Sequence, residues 1–189
     1  YDGDGDTDMY VGSFDSNTGL YKNYLFNNDM ARFEDVTTKS GIVHRGKENS
    51  ALFADYDNDG FLDLHILKEG GDALYKNAGM ENFENVTQNA KITHENGAIK
   101  SLFLDIDHDG DLDLLKIGNA SKFLYRNNGD GTFLEQSSKM GISEEGVQGS
   151  DFAFGDFDDD GDIDLFFTNS DASNSLFSNQ RQGKFKNIT

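Results

Sequence analysis

The sequence predicts an all-β fold built from repeated small sheets, and three observations predict it. An acidic turn recurs four times. It is complete in Asp55-Tyr56-Asp57-Asn58-Asp59-Gly60-Phe61-Leu62-Asp63, in Asp105-Ile106-Asp107-His108-Asp109-Gly110-Asp111-Leu112-Asp113 and in Asp156-Phe157-Asp158-Asp159-Asp160-Gly161-Asp162-Ile163-Asp164. It is short of its first Asp in Asp2-Gly3-Asp4-Gly5-Asp6-Thr7-Asp8. The turn glycines Gly5, Gly60, Gly110 and Gly161 stand 55, 50 and 51 residues apart, a period that assigns one supersecondary unit to each repeat. After each turn a second motif follows in fixed order, a Leu-aromatic-x-Asn strand and then a Phe-centred one. Between the motifs, short alternating apolar runs are punctuated by turns every ~8–12 residues. Four short strands per unit make a sheet with apolar residues on both faces, which is poorly stable alone. Radial stacking buries both faces, which makes the predicted fold a β-propeller of antiparallel four-stranded blades. The approximate repeats are 1–47, 48–98, 99–148 and 149–189, together one partial propeller.

In the first unit the strand ahead of the acidic turn is missing. Met9-Tyr10-Val11 reads as a short strand and residues 12–19 as a long connection ending in a polar turn. The Leu-aromatic-x-Asn pattern occurs at both Leu20 and Leu25, and the spacing to Phe33 favours Leu25. The second unit places strands at 51–54, 62–67, 73–77 and 82–87. The third repeats them at 102–104, 112–117, 123–127 and 132–135, with Asn128-Gly129-Asp130-Gly131 as the chain's best hairpin signal. The fourth has 152–154, 163–168, 176–179 and 184–189. Helix signals are weak, with one short turn each near 38–40 and 137–140. Phe33, Phe83, Phe133 and Phe185 recur in register, as core between blades does.

The acidic turns are hard oxygen cages. Carboxylates at turn positions 1, 3, 5 and 9 converge, Gly at position 6 permits the sharp bend, and the carbonyl at position 7 (Phe61 in the second turn) can add an oxygen. This is the ligand logic of an EF-hand-type calcium loop. The EF-hand's twelfth-position Glu is absent, and the ninth-position Asp closes the cage. The flanks alternate like strands, which argues against EF-hand helices, and the period is far longer than that of a calcium β-roll. Four equivalent cages also argue for scaffold over a catalytic magnesium site, which keeps open positions and is normally single. The turns hold 19 of the 35 acidic residues. One Ca2+ per repeat, up to four, would offset eight charges of a net −19. Calcium modules of this strength, with Kd about 10⁻⁴–10⁻³ M, fill outside cells and stay empty in cytosol. The expected setting is therefore extracellular or cell-surface.

Composition narrows the function further. No basic stripe exists to neutralise phosphates, so nucleic acid is not an expected partner. There is no cysteine, and no apolar run of membrane-spanning length, so no direct membrane insertion is expected. His44, His65, His94 and His108 show no ligand spacing, and His108 is expected to face solvent. Asn85-Val86-Thr87, Asn119-Ala120-Ser121 and Asn187-Ile188-Thr189 spell glycosylation sequons. The first and third lie in the repeated fourth strand and read as strand residues.

The combined pattern, Asp-x-Asp-x-Asp-Gly-x-x-Asp-Leu followed by Leu-Tyr-x-Asn-x-Gly-x-x-x-Phe-x-x-Val-Thr, resembles the FG-GAP/VCBS repeats of integrin α-subunit propellers. It is more similar still to bacterial secreted relatives of cartilage acidic protein. The resemblance implies a calcium-bearing propeller, usually seven-bladed, of which this chain would be part. It implies ligand roles for Asp2, Asp4 and Asp8, for Asp55, Asp57, Asp59 and Asp63, for Asp105, Asp107, Asp109 and Asp113, and for Asp156, Asp158, Asp160 and Asp164. Asp6, Phe61, Asp111 and Asp162 would offer backbone carbonyls.

Two function classes follow. The first is a non-enzymatic binding or adhesion scaffold for a surface protein or glycan, contacted through the variable turns at 12–19, 68–72, 118–122 and 169–174 on the face opposite the acidic turns. The alternative is an accessory propeller domain of a secreted enzyme, or a calcium-dependent lectin. No Ser/His/Asp order, His-Glu-x-x-His or phosphate loop is present to support catalysis.

Overall fold

The structure is a computed structural model that describes residues 1–42, 46–92, 97–118, 121–144 and 146–189. His44, His94 and the Asn119 sequon lie outside these, as does part of the 118–122 turn. The fold is a β-propeller's, and the described residues form one three-stranded and three four-stranded antiparallel sheets. The first sheet holds β1 (Met9–Asp15), β2 (Leu20–Asp29) and β3 (Arg32–Asp35). The second holds β4 (Glu48–Ala54), β5 (Asp63–Lys68), β6 (Ala73–Asn77) and β7 (Phe83–Asn85). The third holds β8 (Ala98–Leu104), β9 (Asp113–Gly118), β10 (Lys122–Asn127) and β11 (Phe133–Glu135). The fourth holds β12 (Gly149–Gly155), β13 (Asp164–Asn169), β14 (Ser175–Asn179) and β15 (Phe185–Asn187). Helices α1 (Thr37–Ser40) and α2 (Ser137–Met140) stand where the short turns were expected. Neighbouring strands pair in sequence order, so each sheet is a plain meander. In the three four-stranded sheets the acidic turn joins the first two strands at one end and the next turn leaves the opposite end, whereas in the first sheet the acidic turn leads into β1.

The chain divides into two compact units, Tyr1–Asn96 and Gly97–Thr189, with two sheets in each. Within a unit the facing sheets bury one core. In the first unit it gathers Leu25, Ile42, Leu64, Ile66 and Tyr75. In the second it gathers Ile106, Ile117, Leu124, Leu165 and Phe167. The inner strands read as near-continuous apolar runs because both of their faces are covered. β5 is buried from Asp63 to Leu67 and β9 throughout.

The Leu25 assignment is supported by a bond repeated in every sheet. Leu25 N–H donates to Thr37 Oγ1, Leu74 to Thr87, Leu124 to Ser137 and Leu176 to Thr189, each at 2.8–2.9 Å. This ties the third strand to a residue just past the fourth, so the Val-Thr ending is a clamp beyond the strand end and not, as its residues suggest, strand. In two sequons the Asn joins it: Asn85 Oδ1 accepts from the N–H and the hydroxyl of Thr87, and Asn187 Oδ1 from Thr189 N–H.

Two expectations need correction. Residues 12–15 are strand, not connection. β1 runs on to Asp15, paired in register from Met9↔Phe26 to Asp15↔Leu20. The turn is only four residues long because Asp15 organises it: its Oδ1 accepts from Asn17 N–H at 2.9 Å, and its carbonyl from Gly19 N–H at 2.8 Å. Phe33 is the second exception. Phe83, Phe133 and Phe185 are buried, but Phe33 is 53% exposed. Phe83 is covered by Tyr1 beside the acidic turn of the preceding repeat, with ring centroids 5.7 Å apart. Phe185 belongs to the core it shares with Ile106 and Ile142 of the preceding repeat. No residue of a preceding repeat covers Phe33 among the described residues.

Gly141 ends α2 at φ +82°, and a Cβ there would lie 2.5 Å from the Phe185 carbonyl oxygen, a backbone atom of β15. Gly141→Ala is expected to cost about 2–4 kcal/mol, from the left-handed conformation and the clash together. Gly161→Ala, with open space around it, should cost only about 1–2 kcal/mol. Urea denaturation of the two variants checks the order.

Candidate metal centre

Each acidic turn folds on its own carboxylates. Asp55 accepts from Asp59 N–H and Gly60 N–H, both at 3.0 Å, and Asp59 Oδ1 accepts from Phe61 N–H at 3.0 Å. Asp105 and Asp109 repeat this with the N–H groups of Asp109, Gly110 and Asp111. Asp156 and Asp160 repeat it with those of Asp160, Gly161 and Asp162. Position 4 is left-handed in all three turns, at Asn58, His108 and Asp159. Gly60, Gly110 and Gly161 follow at φ of +90° to +93°, where a side chain would be strained.

The ninth-position Asp has a separate task. Asp63, Asp113 and Asp164 are at most 1% exposed. Each accepts from the N–H of turn position 2 with one oxygen, at 3.2, 3.3 and 2.9 Å. The other oxygen accepts from the N–H of Asn77, Asn127 or Asn179 in the third strand, each at 2.8 Å. In the first sheet Asp8 does the same with Asn28 at 2.9 Å. Asn77 and Asn179 then carry the link to the acidic turn of the preceding repeat: their amides donate to the Tyr1 carbonyl at 3.1 Å and the Ile106 carbonyl at 3.0 Å. This Asn was visible as a motif letter, but its role was not. Its recurrence 14, 14 and 15 residues after the ninth-position Asp of the three complete turns was the available signal.

Three groups of carboxylates converge. One oxygen from each of Asp55, Asp57 and Asp63 lies within 4.8 Å of the others, and the same holds for Asp105, Asp107 and Asp109, and for Asp156, Asp158 and Asp164. Asp59, Asp113 and Asp160 stand outside these triplets. So do Phe61, Asp111 and Asp162, although Asp162 Oδ1 is 3.5 Å from His108 Nε2, itself half-exposed. Among the described residues the first turn forms no such group. Its Asp2 accepts from Asn27 Nδ2, its Asp6 from Met30 N–H, and its Asp4 from Asp6 N–H.

The donor set is all carboxylate oxygen, which suits a hard divalent cation. Two buried oxygens, Asp57 Oδ1 and Asp107 Oδ1, have no hydrogen-bond partner, and the Asp107 side chain is only 6% exposed. A buried acceptor left unpaired is costly, and a cation would satisfy both. The residues therefore fit a bound metal ion. Protein cations also reach these groups. Lys76 Nζ contacts Asp57 and lies 2.8 Å from Asp59. Arg126 lies 2.7 Å from Asp107 and 2.8 Å from Asp109. The Asp57 and Asp59 carboxylates hold the Lys76 ammonium above its ordinary range, and Lys76 holds Asp59 below its own.

Burial pushes Asp63 and Asp113 up to about 7, against the pull of the Asn77 and Asn127 N–H groups. Below about pH 4 the folded and unfolded chains both keep these protons. As pH rises toward 7 the unfolded chain releases them and the folded chain does not, so folding loses stability across that window. Asp59 acts in the opposite sense, but it is exposed and weak. In chelator, the urea midpoint is expected to fall between pH 5 and pH 8; a midpoint that rises would contradict the burial of these carboxyls.

The FG-GAP-like repeat family matches residues 1–66, 55–116 and 105–167. The chain belongs to this family. Each matched segment runs from one acidic turn into the strands of the next sheet. An FG-GAP-like chain of this fold is also similar to a solved lectin of Agrocybe aegerita, described as specifically recognising non-reducing terminal N-acetylglucosamine. The TM-score is 0.51 at 20% identity, covering 95% of this chain and 52% of that one. The chain thus spans about half the lectin's length, and the likeness concerns the fold. No curated protein sequence matches the chain. No helix among the described residues is long and apolar enough to cross a membrane.

Proposed function

We propose that this FG-GAP-like chain is a non-enzymatic, calcium-stabilised binding scaffold of the cell exterior, part of a larger propeller ring, and that its partner is a surface protein or glycan. The carrying observation is the threefold convergence of turn aspartates, with Asp57 and Asp107 each keeping a buried oxygen unpaired. Asp55, Asp57 and Asp63 in the second turn, Asp105, Asp107 and Asp109 in the third, and Asp156, Asp158 and Asp164 in the fourth would hold the ion. The ion would supply charge compensation for crowded carboxylates, with no reaction attached to it. Millimolar calcium outside cells is the concentration at which sites of this class fill.

The contact face proposed is the one opposite the acidic turns, and its best-formed part is the β1–β2 hairpin. Phe14 and Tyr21 stand on it with ring centroids 4.9 Å apart, 56% and 37% exposed. They border a groove of about 270 Å3 also lined by Gly12, Lys22, Lys47 and Glu48. Exposed aromatic faces beside charged donors and acceptors suit a sugar ring or a protein hot spot. The lectin fold likeness makes a glycan the first partner to try. A glycan array read with calcium and with chelator tests this. Binding that drops at least about tenfold in Tyr21→Ala supports the hairpin, and binding unchanged by Phe14→Ala and Tyr21→Ala together discards it.

A further inference from the structure

The acidic turns differ in one residue that does not belong to them. The residue just before the third-strand Asn is Lys76 in β6, Arg126 in β10 and Ser178 in β14. All three reach the turn of their own sheet. Lys76 contacts Asp57 and Asp59, and Arg126 contacts Asp107 and Asp109. Ser178 only offers its hydroxyl to Asp158 Oδ2, at 3.3 Å. Charge and counter-charge therefore diverge along the chain. The second turn has four carboxylates and an ammonium, and the third has five and a guanidinium. The fourth has six, counting Asp159, and none of its ion pairs joins a Lys or Arg among the described residues.

We propose that Lys76 and Arg126 are built-in counter-ions that occupy their turns when no metal is bound and compete with a divalent cation for the same carboxylates, so that the three sites are graded, with the Ser178 turn the tightest. This rests on the reading of the turns as calcium sites. The physical reason is direct. An incoming cation must displace the ammonium or guanidinium from the carboxylates at positions 3 and 5, and then sit beside its charge. Side chains of 33% and 39% exposure have solvent into which to swing. The displaced charge remains near enough to weaken the site, since the total ligand charge sets the affinity of such loops. The turns with an internal cation hold their shape without metal, whereas the fourth turn needs the ion to relieve its repulsion.

The register offers a reciprocal test, because one strand position accepts Lys, Arg and Ser within a single chain. Calcium binding is followed by calorimetry on the chain and on Lys76→Ser, Arg126→Ser and Ser178→Lys. Lys76→Ser and Arg126→Ser should each tighten one weak site by about tenfold or more, and Ser178→Lys should loosen the tightest site by a similar factor. In chelator the first two variants should melt below the parent chain, and Ser178→Lys at or above it. If the parent binds calcium and the three variants leave its affinities unchanged, the counter-ion proposal is overturned and the calcium reading stands. If the parent binds no calcium at all, the calcium reading falls and takes the proposal with it. Unchanged melting of Lys76→Ser and Arg126→Ser in chelator refutes the counter-ion role by a readout that needs no metal.

Discussion

Millimolar calcium added to the chelated chain should raise its thermal midpoint by roughly 8–16 °C. At Kd of ~0.1 mM, mass action contributes about 1.4 kcal/mol per site. Three convergent carboxylate groups therefore contribute about 4 kcal/mol in all, and a domain of this size shifts by about 2–4 °C per kcal/mol. Magnesium at the same concentration should do much less. It demands near-octahedral ligands and gives up its water reluctantly, and flexible carboxylate turns suit the larger ion. Differential scanning calorimetry with calcium, magnesium and chelator checks both statements. Superimposable calcium and chelator traces would remove metal from the account of stability.

The second large effect needs no metal. Asp113→Ala removes the carboxylate that accepts from Ile106 N–H and Asn127 N–H and leaves both donors buried. Unsatisfied buried donors cost about 1–3 kcal/mol each. Relief of a buried charge gives some of that back, and a net loss of about 3 kcal/mol is expected in chelator. Asp57→Ala should behave in the opposite way. In chelator it loses a partly exposed contact with Lys76, about 0–1 kcal/mol. In calcium it loses a site. The two variants should therefore differ most in chelator and converge when calcium is added. Equal urea midpoints in chelator would overturn the anchoring role of Asp113.

Much of this molecule was legible as text. The four acidic turns, the strand order within each unit and the two short helical turns all follow from motif spacing, because each is a local matter of turn chemistry and alternation. The choice of Leu25 over Leu20 was also legible, from its distance to Phe33. The β1–β2 hairpin was not. Residues 12–15 carry no strong strand signal, and only their pairing with β2 and the Asp15 turn make them strand. Phe33 misled because a repeated letter predicts burial only where a neighbouring sheet covers it.

What the sequence alone determined is the repeat: its period, its carboxylate cages and the sheet that each unit forms. Tertiary structure alone decided how the carboxylates divide their labour. Turn position and strand order cannot show that Asp63, Asp113 and Asp164 are buried anchors to the third strand, or that Lys76 and Arg126 point into the cages while the turn beside Ser178 pairs with no Lys or Arg among the described residues. Those assignments depend on side chains from separate strands meeting across a sheet, a distance that no spacing along the chain encodes.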